Sequence, residues 1–159
     1  MKQLTRREMM KSTVLATGTL CTCQVLDAYA AESDCCNTPD LEPDSFLVTD
    51  RNIEIDLLQA HCLEHAGHAA FISIPEARIE MIVVHVDKGE FVALDRFCTH
   101  GRQVLSYNQQ RQLLQCNNYN HSLFELDGSV YKGPAPTPLR SYPVTLEQDT
   151  LNIRIGGQA

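Results

Sequence analysis

The chain has 159 residues, 13 basic and 20 acidic, for a formal net charge of −7, and 43% of it is hydrophobic. That balance excludes a nucleic-acid binder, whose phosphates call for basic patches. The length leaves room for one domain with a hydrophobic core, and the chain has seven cysteines and six histidines.

The amino terminus has the layout of an address. Thr5-Arg6-Arg7-Glu8-Met9-Met10-Lys11 looks like a twin-arginine export signal, and a mildly apolar stretch from Ser12 to Leu26 leads to Ala28-Tyr29-Ala30. An A-x-A pattern is what a signal peptidase reads, so residues 1–30 are expected to be removed after Ala30. The apolar stretch is shorter than the roughly 20 residues a membrane span needs. No stable span is therefore expected after cleavage, and a membrane tether only if the segment is retained. Four basic and two acidic residues fall in this segment, so the remainder carries 9 against 18, a net −9. Such acidity gives solubility, and it also suits a positively charged partner.

Residues 31–50 are acidic and Pro-containing, and read as an N-terminal arm or linker rather than core. The domain proper is expected over 51–159. Short alternating apolar runs bounded by turn residues follow, the signature of strands. Ile53, Ile55 and Leu57 alternate, and the stretch to Gly67 reads as a turn or short helical piece. Strands are expected over Ala70–Ile74, Met81–Val86, Phe91–Asp95, Gln112–Gln115, Leu123–Glu125, Ser129–Tyr131, Tyr142–Leu146 and Thr150–Ile155. Asp87-Lys88-Gly89-Glu90 and Asp127-Gly128 are hairpin turns, and Glu147-Gln148-Asp149 joins the last two strands. Eight or nine short strands with short links predict an all-β antiparallel sandwich or small barrel.

The chemistry is concentrated in Cys98-Thr99-His100 and Cys116-Asn117-Asn118-Tyr119-Asn120-His121, with 15 residues between His100 and Cys116. Two thiolates and two imidazoles on two loops can hold a zinc ion or an iron–sulfur cluster with mixed ligands. What comes next in the chain favours the second. After His121 come Ser122-Leu123-Phe124, the Asp127-Gly128 turn, and Gly133-Pro134-Ala135-Pro136. This order, over roughly Ile53 to Ile155, resembles the Rieske family: a C-x-H loop, a second Cys/His loop, a D-G hairpin and a Gly/Pro-rich third loop.

The resemblance implies a Rieske-type 2Fe-2S cluster held by Cys98, His100, Cys116 and His121, with the cysteines on the buried iron and the histidines on the outer one. Replacing two thiolates by neutral imidazoles makes electron uptake easier, which places such clusters at roughly −150 to +300 mV against about −400 mV for all-cysteine plant-type ferredoxins. Ser122 takes the place of a hydrogen-bond donor to the cluster, and Gly133 and Pro134 belong to a rigid cover over it.

The second loop departs from the family pattern. Four residues rather than two separate Cys116 from His121, and alignment on Phe124 places Asn120 at the usual ligand position. His121 is nevertheless the expected ligand, because Asn binds iron poorly. Gln103 and Asn118 stand where quinol-oxidising members carry a bracing disulfide. Phe124 stands where those members carry a Tyr hydroxyl. A potential below that of quinol oxidases is expected.

Outside the loops, Cys62 is expected to pair with Cys36 or, equally, Cys35 in an oxidising compartment. His61, Cys62, His65 and His68 fall at helical spacing but read as a solvated turn. No nucleophile–base arrangement is present. A Rieske oxygenase would need a second domain with two His and a carboxylate for mononuclear iron, and 129 residues leave no space for it.

The expected function is a periplasmic one-electron relay, on its own or as a subunit of an oxidoreductase. Its partner would be a cytochrome, a quinol-linked enzyme or a molybdenum enzyme. A zinc-stabilised, non-redox binding module using the same four side chains is the alternative.

Overall fold

The computed structural model describes residues 38–117 and 121–156. The export segment expected over 1–30, Cys35, Cys36, Asn118, Tyr119 and Asn120 lie outside the described residues. Among those described there are twelve strands: β1 (Phe46–Val48), β2 (Asn52–Asp56), β3 (Ala69–Ile74), β4 (Ile79–Asp87), β5 (Glu90–Asp95), β6 (Leu105–Asn108), β7 (Leu113–Cys116), β8 (Leu123–Phe124), β9 (Val130–Lys132), β10 (Ser141–Tyr142), β11 (Val144–Glu147) and β12 (Thr150–Arg154). No described helix is long and apolar enough to cross a membrane.

The strands form three sheets, ordered β1-β2-β12-β11, β10-β5-β4-β3 and β6-β7-β8-β9. Every pairing within them is antiparallel. The all-β antiparallel class expected from the alternating runs is the class the chain forms.

Side-chain burial explains the layering. In β2 and β12 buried and less buried residues alternate, as they do when one face of a strand meets the core. Ile53, Ile55, Leu151 and Ile153 all point inward. In β4, by contrast, Met81 to His85 are buried without a break. Met81 and Val83 pack with the β2–β12 sheet, while Ile82 and Val84 pack with the β6–β9 sheet. The middle sheet is therefore covered on both faces. Its strands are apolar runs for that reason, not alternating ones.

Turn chemistry closes the hairpins. Lys88 and Gly89 link β4 to β5, with Gly89 at φ 75°. In the β8–β9 turn the Ser129 N–H donates to Asp127 Oδ1 (2.7 Å) and Gly128 takes φ 90°. A Cβ on Gly128 would lie 2.8 Å from the Leu139 carbonyl oxygen, so this turn also supports the third loop.

Three expectations need correction. From Thr38 onward the segment read as an arm outside the core lies against the domain. Leu41 is buried in the core beside β2, Asp40 bridges Phe71, and β1 is the edge strand of the first sheet. Its few apolar residues suffice because backbone pairing holds it, with Leu41 N–H donating to the Phe71 carbonyl (2.7 Å) and Phe71 N–H to the Pro39 carbonyl (2.8 Å).

The single strand expected over Tyr142–Leu146 is two, because Pro143 has no N–H to continue a ladder. β10 joins the middle sheet through Tyr142↔Ala93 and β11 joins the first through Val144↔Ile153. Strand β6 was not anticipated, since Leu105-Ser106-Tyr107-Asn108 is too short and polar to stand out. It forms because β7 pairs with it, Leu105 opposite Cys116.

Candidate metal centre

The two cysteine loops are built alike. The first leaves β5 and enters β6, and a bridge between Phe97 and Val104 narrows its mouth. The Cys98 N–H donates across the loop to the Gln103 carbonyl (2.8 Å), and the Arg102 N–H donates back to the Cys98 carbonyl (2.9 Å). The second joins β7 to β8, and the Cys116 N–H donates to the Ser122 carbonyl (2.9 Å). Each loop is thus tied off by its own cysteine's backbone. The Asn117 N–H reaches the Val104 carbonyl (3.4 Å), joining one loop to the other.

Both cysteine side chains are 1% exposed and belong to one buried cluster with Leu105, Leu114, Phe124 and Leu139. His100 and His121 are exposed. The sulfurs therefore lie inward and the imidazoles at the surface. His121 Nδ1 lies 2.9 Å from the Cys116 carbonyl oxygen and 3.4 Å from Gln115 Nε2. The ring is thus turned back along its own loop. Among the described residues no three His, Cys, Asp or Glu side chains are gathered closely enough to hold a metal ion. The structure brings the two loops together without closing the four side chains around a point.

The third loop covers this end. The Ala135 N–H donates to Ser122 Oγ (3.2 Å), and Thr99 Oγ1 donates to the Thr137 carbonyl (2.8 Å). One hydrogen bond goes to each cysteine loop. Gly133 has φ 115°, and a Cβ there would stand 2.6 Å from Ser122 Cα and 2.9 Å from the His121 carbonyl oxygen. Only glycine allows this approach. Pro134 follows it and is exposed. Ser122 is 1% exposed. Since its oxygen accepts from Ala135, its hydroxyl hydrogen remains to be donated. Phe124 is fully buried beside it and offers no hydroxyl.

The donor chemistry and the close Gly133 contact fit a group held between two loops under a cover. Soft sulfur side chains face the apolar interior, imidazole nitrogens face solvent, and a glycine backbone closes on the second loop. Thr99 was missed as a fastener. Its partner lies 38 residues away, and nothing local in the sequence announces such a bond.

Residues set aside from the site are accounted for differently. His61–Leu63 is a single 3-10 turn, and the His65 and His68 rings meet edge to face with centroids 5.5 Å apart. Cys62 is a half-buried thiol whose pKa is raised, chiefly by burial; its expected partners, Cys35 or Cys36, lie outside the described residues. His85 is a packed core histidine, its Nδ1 2.8 Å from the Leu63 carbonyl oxygen and its ring stacked on Phe91. The Tyr142 hydroxyl donates to Asp95 Oδ1 (2.7 Å), and burial together with that carboxylate raises its pKa strongly.

Comparison with known proteins identifies the family. Residues 54–143 match the family model described as the Rieske [2Fe-2S] domain. Over 78 residues the chain is 30% identical to the 3-phenylpropionate/cinnamic acid dioxygenase ferredoxin subunit of Photorhabdus laumondii, a match covering 48% of this chain and 73% of that protein. Among solved structures, it is similar to the cyanobacterial plasma membrane Rieske protein of Synechocystis PCC 6803, with TM-score 0.48 and 20% identity over 55% of this chain and 86% of the other. A hyperthermophilic respiratory Complex III chain matches with TM-score 0.48 and 22% identity over 62% and 71%. With the family model spanning more than half of its length, the chain belongs to the Rieske [2Fe-2S] family, whose domain implies a two-iron, two-sulfide cluster and one-electron transfer.

Proposed function

We propose that Cys98, His100, Cys116 and His121 hold the cluster and that the protein is a periplasmic one-electron relay. The observation that carries the ligand assignment is the pairing of two loops, each closed by its cysteine's own N–H, under a glycine cover. When bound, the cluster supplies a centre that takes up and releases one electron at a potential raised by its neutral histidine ligands. The chain's own residues keep the sulfur side dry with Leu105, Leu114, Phe124 and Leu139 and present the imidazoles to a partner. The Ser122 hydroxyl hydrogen is oriented by the Ala135 N–H and lies beside the second loop. Phe124 adds no second donor, which supports a potential below that of quinol-oxidising members.

The twin-arginine layout of residues 1–30 supports export of an already folded, cofactor-loaded protein. In the periplasm the partner would be a cytochrome, a quinol-linked enzyme or a molybdenum enzyme. A second reading, a ferredoxin serving an oxygenase, is favoured by the likeness to a dioxygenase ferredoxin subunit. Fractionation separates the two: protein processed at Ala30 and found in the periplasm supports the relay, and unprocessed protein in the cytoplasm overturns it.

The cluster reading is tested on anaerobically purified protein by iron and sulfide counting with electron paramagnetic resonance. Two irons, two acid-labile sulfides and a low-g signal on reduction are expected. Colourless, zinc-bearing protein overturns it in favour of the binding-module alternative. Loss of the signal in His121→Ala supports the ligand assignment, and an unchanged signal overturns it.

A further inference from the structure

Beside the first cysteine loop lies an open, polar cleft of about 410 Å³, lined by Arg78, Arg102, Arg140, Glu80, Asp95 and Thr99 among others. Three guanidinium groups in one cleft are unusual for so acidic a chain. They arrive from three places: the turn before β4, the first cysteine loop, and the residue preceding β10. Each of the two carboxylates has partners of its own. Glu80 accepts from Ser73 Oγ (2.7 Å) and from Arg96 Nη1 (3.1 Å), and Asp95 accepts from the Tyr142 hydroxyl (2.7 Å).

Among the described residues Arg96 alone forms ion pairs, with Glu80 and Asp40. Arg78, Arg102 and Arg140 have none among the described residues. Arg102 and Arg140 instead lie over aromatic rings, at 5.5 Å from the Phe97 centroid and 4.8 Å from the Tyr142 centroid. Stacking on a ring restricts a guanidinium while leaving its N–H edges available.

The backbone adds an independent observation. Arg78 and Arg102 sit at φ 54° and 52°, in the left-handed region that a non-glycine residue enters at a cost. Two of the four described non-glycine residues with positive φ thus line the same cleft. We propose that this cleft binds a small multivalent oxyanion, its carboxylate or phosphate oxygens held by the guanidinium forks of Arg78, Arg102 and Arg140. Planar forked donors match such oxygens two at a time, and the cleft has the volume of a small-molecule site, roughly 300–1,000 Å³. The lining carries three guanidinium groups against two carboxylates, an excess of one positive charge that a bound anion answers. That excess is the driving force.

Citrate and inorganic phosphate are the probes, titrated separately into the full chain at low ionic strength by calorimetry and by amide chemical-shift mapping. One saturable site is expected for at least one of them, with shifts centred on Arg78, Arg102 and Arg140. The Arg78→Gln/Arg140→Gln double variant should lose at least about tenfold in affinity, as expected when charge-assisted hydrogen bonds are removed. Arg111→Gln, a change of the same charge outside the cleft, should not alter affinity. Circular dichroism confirms that the variants are folded, and the shift map of the unaltered chain stands if the double variant is not. No saturable binding by either probe overturns the proposal. So do shifts centred elsewhere, or equal affinity in a folded double variant. Neither readout measures iron, so failure of the titrations and failure of the cluster assignment are told apart even though Cys98 also lines the cleft.

Discussion

The two faces of the middle sheet bury similar residues to different ends. On one side Ile53, Ile55, Leu151 and Ile153 of the first sheet pack against Ala70, Ile72, Met81 and Val83. This half is regular, with β2 and β12 in unbroken register from Asn52↔Arg154 to Asp56↔Thr150. On the other side Ile82, Val84 and Leu94 pack against Leu105, Leu114 and Phe124, and two cysteines share that cluster. Here strands are two to four residues long, and the loops leading into them carry His100 and His121. A redox loop must be rigid without being a strand. A regular half supplies the rigidity, and the short-stranded half can then be spent on loops closed by single hydrogen bonds.

If that division holds, damage on the two sides should read out differently. The largest effect is expected for Phe124→Ala, which empties a fully buried site beside the second loop. A loss of about 3–5 kcal/mol in denaturant unfolding is expected, with less iron and sulfide per folded molecule. Ile53→Ala, in the regular half, should cost about 2–5 kcal/mol but leave the cluster's spectrum per folded molecule unchanged. A changed spectrum would show that the two halves are not separable.

Gly133→Ala sharpens the comparison from the loop side. A Cβ at φ 115°, 2.6 Å from Ser122 Cα, should destabilise by more than about 1 kcal/mol. The diagnostic result is an altered paramagnetic signal, because the displaced contact is with the second loop; melting without spectral change would reduce Gly133 to a turn residue.

Smaller effects are expected from the polar fasteners. The folded-state pKa of Tyr142 is raised above its unfolded value. The stability it contributes is therefore fully present below about pH 10 and lost as pH rises above it. Tyr142→Phe should weaken the fold by about 1–2 kcal/mol at neutral pH through the bond to Asp95, and should flatten the alkaline loss. Smallest is Asp127→Ala. Asp127 is held below the ordinary carboxylate range by its hydrogen bonds to Ser129, so its contribution is present above the unfolded pKa and fades as pH falls through the folded one. The alanine variant should differ little from the parent at low pH and slightly at neutral pH, measured by thermal melting.

The sequence by itself determined the all-β class, the β4–β5 and β8–β9 turns, and the three loops in their order. Each depends on residues close together in the chain: alternating apolar side chains, Asp-Gly and Lys-Gly pairs, and Cys-x-His spacing. Tertiary structure alone decided that β4 is buried on both faces, that Leu41 belongs to the core, that Pro143 divides one run between two sheets, and that Thr99 meets Thr137. It alone gathered Arg78, Arg102 and Arg140 into one cleft. Those outcomes arise between segments far apart in sequence, where the energy lies in contacts that neither partner displays until both are in place.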